Sequence, residues 1–305
     1  MMQRSIWVLL LIAWGIVASA MQGEELVPPV TLKPSHPNYW YGHKIWPIYR
    51  QFKETKSLAL CNRLIDALET LLANFPDARF VPPPYLVRAK SFYMLDDAGG
   101  PLGMLAELYH FQGRYEEALI FQLRKSLVMM EDIAMMIASG LGIFPNSLKS
   151  DPPFIFELKP SIEYAQQLLS QKVKVHPVLF ACGWPLRVKW KGNNPNDALV
   201  SLNDIAYALG KGNWQDILQR DYKSWRFTLS VKGKTITFTD KSQKAVIEGK
   251  EATLRYPVER SYYDLYVPLI DLVKLIGGNL RPPKPDELQP LRRYLPVQIW
   301  VVDLN

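Results

Sequence analysis

The sequence predicts an α+β protein in which an all-α N-terminal part of helical hairpins precedes a small mixed module with two β–α half-repeats and β-hairpins. Three observations predict it. Leu58, Cys61, Ile65, Leu68 and Leu72 fall on one face of a helix. Further on, Trp225, Phe227, Leu229 and Val231 alternate with Arg226, Thr228, Ser230 and Lys232, the period of a half-buried strand. One phrase is also written twice: "VSLNDIAYALGKG" from Val200 and "VPLIDLVKLIGGN" from Val267, 67 residues apart (267 − 200) with no gap.

The composition suits a folded chain. With 305 residues, 48% hydrophobic and 21% charged, it has the makings of a sizeable core and of roughly two domains. The formal net charge is +7, and much of the excess lies after residue 185. A mild basic balance favours anionic polymers or membrane surfaces, or serves solubility alone. No run of like charges occurs, so nucleic acid is not an expected partner.

Residues 1–20 read as a secretory signal: Arg4, an apolar run over 5–17, and Ala18-Ser19-Ala20 before a cut at Met21. The alternative, a retained anchor, needs about 20 apolar residues, more than the run supplies. The mature chain is then expected to be exported, with no transmembrane segment, and to reside in the periplasm, at the cell wall or outside the cell. Residues 21–44 form a Pro- and aromatic-rich arm. Tyr39, Trp40, Tyr41 and Trp46 are candidate binding residues, because rings on an extended arm stack on sugars or enter a partner's groove. The other reading is that they clamp the arm onto its own helices. His36 and His43 flank these rings but lack further ligands, so no metal is expected.

The helical domain is expected over 45–173. "ETKSLALCNRLIDALETLLANF" is one periodic helix stopped by Pro76. "PPPYLVRAKSFYML" predicts a second, ending before a turn at "DDAGG". Two helices then meet at Gly113, with Leu102, Leu105, Ala106 and Tyr109 on one and Tyr115, Ala118 and Leu119 on the next, which continues to about Ser139. A loop follows, then a last helix with Pro160 near its start. Leu105-Ala106, Tyr109, Gly113, Tyr115 and Ala118 resemble one tetratricopeptide repeat, with Gln122 and Lys125 departing from it and a weaker echo at Leu64, Leu68, Leu71 and Pro76. The resemblance implies a concave face for a peptide, with Tyr109 and Tyr115 as contacts. An unrelated helical bundle is the alternative. Cys61 reads as a small buried hydrophobe, or else as one half of a bridge to Cys182.

The mixed module is expected over 174–305. "RVKW" is a short strand, Gly233 and Gly249 turn two hairpins, and "LPVQIWVVDL" closes the sheet. Each copy of the repeated phrase is an extended valine, Val200 or Val267, leading into a short helix. Leu202 and Leu269 are apolar helix positions, Ser201 and Pro268 suit the helix start, Asp204 and Asp271 complement the dipole, and Gly210 and Gly277 end each helix as left-handed caps. Val246, Gly249, Leu254, Pro257, Val267, Pro268, Leu269 and Gly277, with the earlier "ALVSLNDIAYALG", resemble the copper amine oxidase N-terminal-like domain of bacterial exported proteins. Glu248 and Ser201 depart from that pattern, as does the insert "GNWQDILQRDYKSW". The resemblance implies an accessory envelope module that binds no copper.

Neither His-x-His nor a suitable Asn-Tyr-acid context for an oxidase is present, and no phosphate loop or nucleophile elbow appears. The expected function is non-enzymatic, without cofactor: binding of an envelope protein or peptide, or of cell-wall polymer. The alternatives are an envelope enzyme or accessory subunit of a peptidoglycan-acting enzyme, with its site in the interdomain crevice, and a structural spacer.

Overall fold

The structure, a computed structural model, describes residues 45–76, 91–138, 153–210, 213–289 and 291–304, without the side chains of 91–99, 132–138 and 153–157. The signal-like segment, nearly all of the arm (Tyr39, Trp40 and Tyr41 included), His36 and His43 lie outside the described residues. It is a mixed helix-and-strand architecture. Five helices come first: α1 (Trp46–Thr55), α2 (Leu58–Asn74), α3 (Ser91–Phe111), α4 (Tyr115–Ala138) and α5 (Pro153–Ser170). Among the described residues no helix is long and apolar enough to cross a membrane.

The expected stop at Pro76 holds, since α2 ends at Asn74. The start differs. Lys56 adopts φ 49° and gives its N–H to the Phe52 carbonyl, which closes α1 before α2 begins. The expected turn at "DDAGG" is not a turn: α3 runs through it, with Pro101 inside the helix. Packing along α4 overrides the local glycine signal, and Gly103 lies close under the Lys125 side chain. The turn at Gly113 is as expected, with φ 73° and a bond from the Arg114 N–H to the Tyr109 carbonyl at 2.8 Å, the pattern of a Schellman cap. The last helix starts earlier than predicted, at Pro153, which leaves Pro160 inside it. Cys61 is fully buried, its thiol toward the Leu108 carbonyl at 3.6 Å, and no disulfide joins it to Cys182.

The strands then form three sheets. The first contains β1 (Val178–Ala181), β2 (Trp184–Pro185), β12 (Asn279–Arg281) and β13 (Ile299–Asp303). Its β13 runs parallel to β1, Val178 opposite Ile299, so the β-branched C-terminus returns to the module's first strand. The second contains β3 (Val188–Trp190), β4 (Ala198–Ser201), β10 (Glu259–Ser261) and β11 (Asp264–Pro268), in the order β10-β11-β4-β3. Strand β4 leads into α6 (Leu202–Gly210) and β11 into α8 (Leu269–Ile276). The two strands pair antiparallel, with Val200 directly opposite Val267.

The third sheet is a five-stranded meander of β5 (Leu218–Asp221), β6 (Arg226–Val231), β7 (Lys234–Thr239), β8 (Lys244–Ile247) and β9 (Lys250–Thr253). Its two-residue hairpin loops, Lys232-Gly233 and Glu248-Gly249, hold positive φ at both positions, as the right-handed twist of the flanking strands demands. The segment "GNWQDILQRDYKSW" supplies the short helix α7 (Trp214–Ile217) and the edge strand β5. A last short helix, α9 (Leu291–Tyr294), precedes β13.

One hydrophobic cluster runs through Phe52, Leu68, Leu105 and Phe121 of the helices into Leu186, Val200, Leu229 and Val267 of the sheets. Helices and sheets therefore share a core. Gly277 ends α8 with φ 83°, as expected. Gly210 does not act that way. It is the last helical residue of α6, without a left-handed φ, and a Cβ there would sit 2.6 Å from Ile217 Cδ1. Gly210 is thus set close against the Ile217 side chain of α7 rather than at a left-handed cap.

Gly278 has the tightest surroundings. A Cβ there would approach the Asp303 carbonyl oxygen to 2.2 Å, at the seam where β12 meets β13. The contact is with backbone, which has no rotamer to yield. Gly278→Ala is expected to lower unfolding free energy by about 1–3 kcal/mol, read from urea midpoints, with wild-type stability as the contrary result.

Candidate functional site

The densest group of charged side chains lies where the helices meet the sheets, and it is buried. Its centre is Arg187, between β2 and β3 and 6% exposed. Its Nη1 donates to Glu69 Oε2 of α2 at 2.6 Å. Nη2 donates to Asp204 Oδ1 at 3.1 Å, Asp264 Oδ2 at 2.8 Å and Ser201 Oγ at 3.1 Å. Nε faces both Asp204 oxygens, and the Arg187 backbone N–H adds a bond to Asp204 Oδ2 at 2.7 Å. A second guanidinium, Arg124 of α4, donates to Asp204 Oδ2 and to the Pro185 carbonyl. Tyr109 of α3 donates its hydroxyl to Glu69 Oε1 at 2.6 Å.

Local structure places these groups. Glu69 stands in the apolar stripe of α2, one turn past Ile65, so it must face inward. Ser201 ends β4 and caps α6, its Oγ accepting the Asp204 N–H at 3.0 Å, as the sequence predicts. The same hydroxyl donates to Asp264 Oδ2. Asp264 opens β11, and its Oδ1 accepts the N–H groups of Asn203 and Leu265 at 3.1 and 2.8 Å.

Three carboxylates face two guanidiniums, leaving one negative charge in excess in a region closed to water. Burial pushes the Asp204 carboxyl up, but Arg124 and Arg187 outweigh it and hold the group below its usual range. At Asp264 burial wins over Arg187, reinforced by Asp204, and the carboxyl is pushed up to about 6. A buried, fully hydrogen-bonded cluster of this kind fixes elements relative to one another. It offers no reacting group to a substrate.

The repeated phrase thus has two different outcomes. Asp204 is buried in the cluster, whereas Asp271 is half-buried and accepts the Arg255 N–H at 2.6 Å. Val200, Leu202, Val267 and Leu269 are core, and Pro268 ends β11. Tyr109, a sequence candidate for binding, has its ring stacked on Phe121 and is only 2% exposed. Tyr115 is half-buried beside His110, and Trp46 is exposed, 5.8 Å from the Tyr49 ring.

A second group lies in the crevice between α4 and the segment entering β1. The His176 backbone N–H and Nδ1 approach Glu116 Oε1 at 2.7 and 2.6 Å, and its ring stacks on Trp190 at 4.6 Å. Glu117, alongside, pairs with Arg114. The crevice encloses about 20 Å³, room for about one water molecule. No group of three or more His, Cys, Asp or Glu able to hold a metal occurs among the described residues.

Two outcomes are expected. Arg187→Met leaves Glu69, Asp204 and Asp264 without their shared partner, so unfolding free energy should drop by about 3–5 kcal/mol; a loss below about 1 kcal/mol would deny the cluster its locking role. Asp264 supplies a pH signature. Between its ordinary value near 3.8 and about 6 the folded chain holds a proton there that the unfolded chain has released. Stability from this group is fully present below the lower value and is lost as pH rises through the upper, by up to ~1.4 kcal/mol per pH unit. The stability gap between wild type and Asp264→Asn should therefore shift in favour of wild type as pH falls from 6.5 to 4. A gap constant with pH would contradict it.

Compared with known proteins, the chain matches no family model, no curated protein and no solved structure.

Proposed function

We propose that the protein is a non-enzymatic, exported binding protein of the cell envelope. In this reading a helical part of tetratricopeptide type faces a protein or peptide partner. The C-terminal part is an accessory module like the copper amine oxidase N-terminal-like domain, and it contacts wall polymer. Its two β–α half-repeats are β4–α6 and β11–α8, and the pairing of Val200 with Val267 is what a duplicated unit folded about a local two-fold would produce.

The observation that carries this reading is the placement of the charged groups. Among the described residues the largest constellation of acids and bases is sealed at the junction, where it joins α2 and α4 to β4 and β11. Such a junction suits a stiff scaffold that presents surfaces.

The test is sedimentation of the chain from Met21 with purified peptidoglycan sacculi at low and high salt. Salt-sensitive co-sedimentation is expected; protein that stays in the supernatant at both salt concentrations would count against wall binding. A second reading, an envelope enzyme or its accessory subunit, draws on the His176–Glu116 pair in the crevice, since a carboxylate-oriented imidazole is half of an acid–base device. On the binding reading, Glu116→Gln leaves sacculus binding and wall integrity unchanged. Release of soluble muropeptides by wild type, abolished in Glu116→Gln, would instead favour the enzyme.

A further inference from the structure

We infer that the buried cluster is a pH-sensitive latch between the helices and the sheets, closed more tightly in acid than at neutral pH. The inference goes beyond the binding reading and does not depend on it. Glu69, Asp204 and Asp264 share two guanidiniums, Arg124 and Arg187, and all five residues are at most 6% exposed. A sealed site with one acid in excess is neutral only when it holds one proton.

Hydrogen bonding decides which acid takes that proton. Asp204 faces both guanidiniums and the Arg187 backbone N–H. Glu69 lies between Arg187 Nη1 and the Tyr109 hydroxyl. Among the described residues Asp264 bonds to one guanidinium, through Arg187 Nη2 at 2.8 Å, and the Ser201 hydroxyl meets the same oxygen. An N–H donor cannot reverse its bond. A hydroxyl both donates and accepts, so the Ser201–Asp264 bond survives when the carboxyl is the protonated partner. The surrounding charges favour the same choice. Asp204 of α6 opposes the charge of Asp264, and Arg187 also serves Glu69 of α2 and Asp204. Arg124 of α4 is turned to Asp204. Arg220 of β5, Tyr222 just after β5 and Tyr266 of β11 are electrostatically coupled to Asp264 as well. Burial, with Asp204, prevails over Arg187 and pushes the carboxyl up to about 6.

The position of the cluster turns this proton into a latch. Glu69 reaches the sheets through Arg187, while its bond from Tyr109 stays within the helices. When Asp264 ionises, Arg187 divides itself among three full negative charges where water does not screen them. The strain is relieved where the ties are fewest, by α2 drawing Glu69 away from Arg187 toward solvent. In the opened junction Asp264 returns to its ordinary range near 3.8. Opening therefore releases a proton between that value and about 6, and it becomes easier as pH rises through the upper one. From pH 5 to pH 8 the opening constant grows about tenfold. The proton sets how often the junction opens, not its geometry when closed.

Hydrogen exchange of the chain from Met21 at pH 5 and pH 8, corrected for the intrinsic pH dependence of amide exchange, tests the latch. Asp264→Asn serves as the variant that keeps the shape of the side chain and removes its charge. Amides of α2 near Glu69, and those of Arg187, Asn203 and Asp204, should exchange ahead of β6 and β7, with an opening constant about tenfold larger at pH 8. Asp264→Asn should flatten that dependence. Carbon-13 NMR of the Asp264 carboxyl in the wild-type chain needs no variant, and its midpoint is expected at about 6. Junction amides that exchange only together with β6 and β7 would reduce the effect to global stability and overturn the latch. A carboxyl that titrates in the ordinary carboxylate range, or a pH dependence retained in folded Asp264→Asn, would overturn it too.

Discussion

The junction depends on one guanidinium. Arg187 reaches carboxylates from three separate elements, Glu69 of α2, Asp204 of α6 and Asp264 of β11, and only a planar fork with five donors can do so at once. A lysine ammonium at this place would be a point charge unable to span the three. Taking these ions out of water is costly, and the arrangement is tolerable because four of the six carboxylate oxygens accept further bonds, from Arg124, Ser201, Tyr109 and backbone N–H groups. What results is orientation. Hydrophobic burial between α2, α4 and the sheets would accept small slides, whereas bonds of 2.6–3.1 Å to a shared centre do not.

That constraint explains why the two copies of one phrase diverged in role. Both place an acid in the first turn of a short helix, and the dipole favours both. Only the first copy lies against α4, where Arg124 enters from the helical side. Ser201 in that copy supplies a hydroxyl for Asp264, which proline at the equivalent position 268 cannot do. Ser201, where the second copy has Pro268, is therefore the side chain that links the helix start to the cluster.

Much of the fold was legible because its signals are local. The apolar stripe of α2, the Gly113 turn, the alternation of β6 and the return of β7 each sit within one stretch of chain. The turn reading at "DDAGG" was wrong because helix packing overrode glycine propensity. Gly210 was misread because its neighbour Ile217 belongs to an insert with no pattern of its own. The cluster was not legible as a site. Glu69 in the middle of an apolar stripe marks an inward-facing acid, but its partner Arg187 lies 118 residues away, and no sequence spacing links them. The exposed rows of β5–β9 were half legible: alternation assigned them to solvent, but only register shows which hydroxyls and cations stand side by side.

The sealed interior and the remaining groups have opposite charge. The sealed cluster of three acids and two bases carries −1, so the remaining groups carry +8 of a formal +7. Sequestering acids inside makes the exterior more basic than composition alone indicates. A rigid junction then has a second consequence. It holds the five-stranded sheet at a fixed angle to the helices, with Arg220 of β5 reinforcing the hold by donating to the Ala73 carbonyl at the end of α2. A surface of the sheets and a surface of the helices therefore keep a set separation, the physical property that distinguishes one rigid body from two tethered domains.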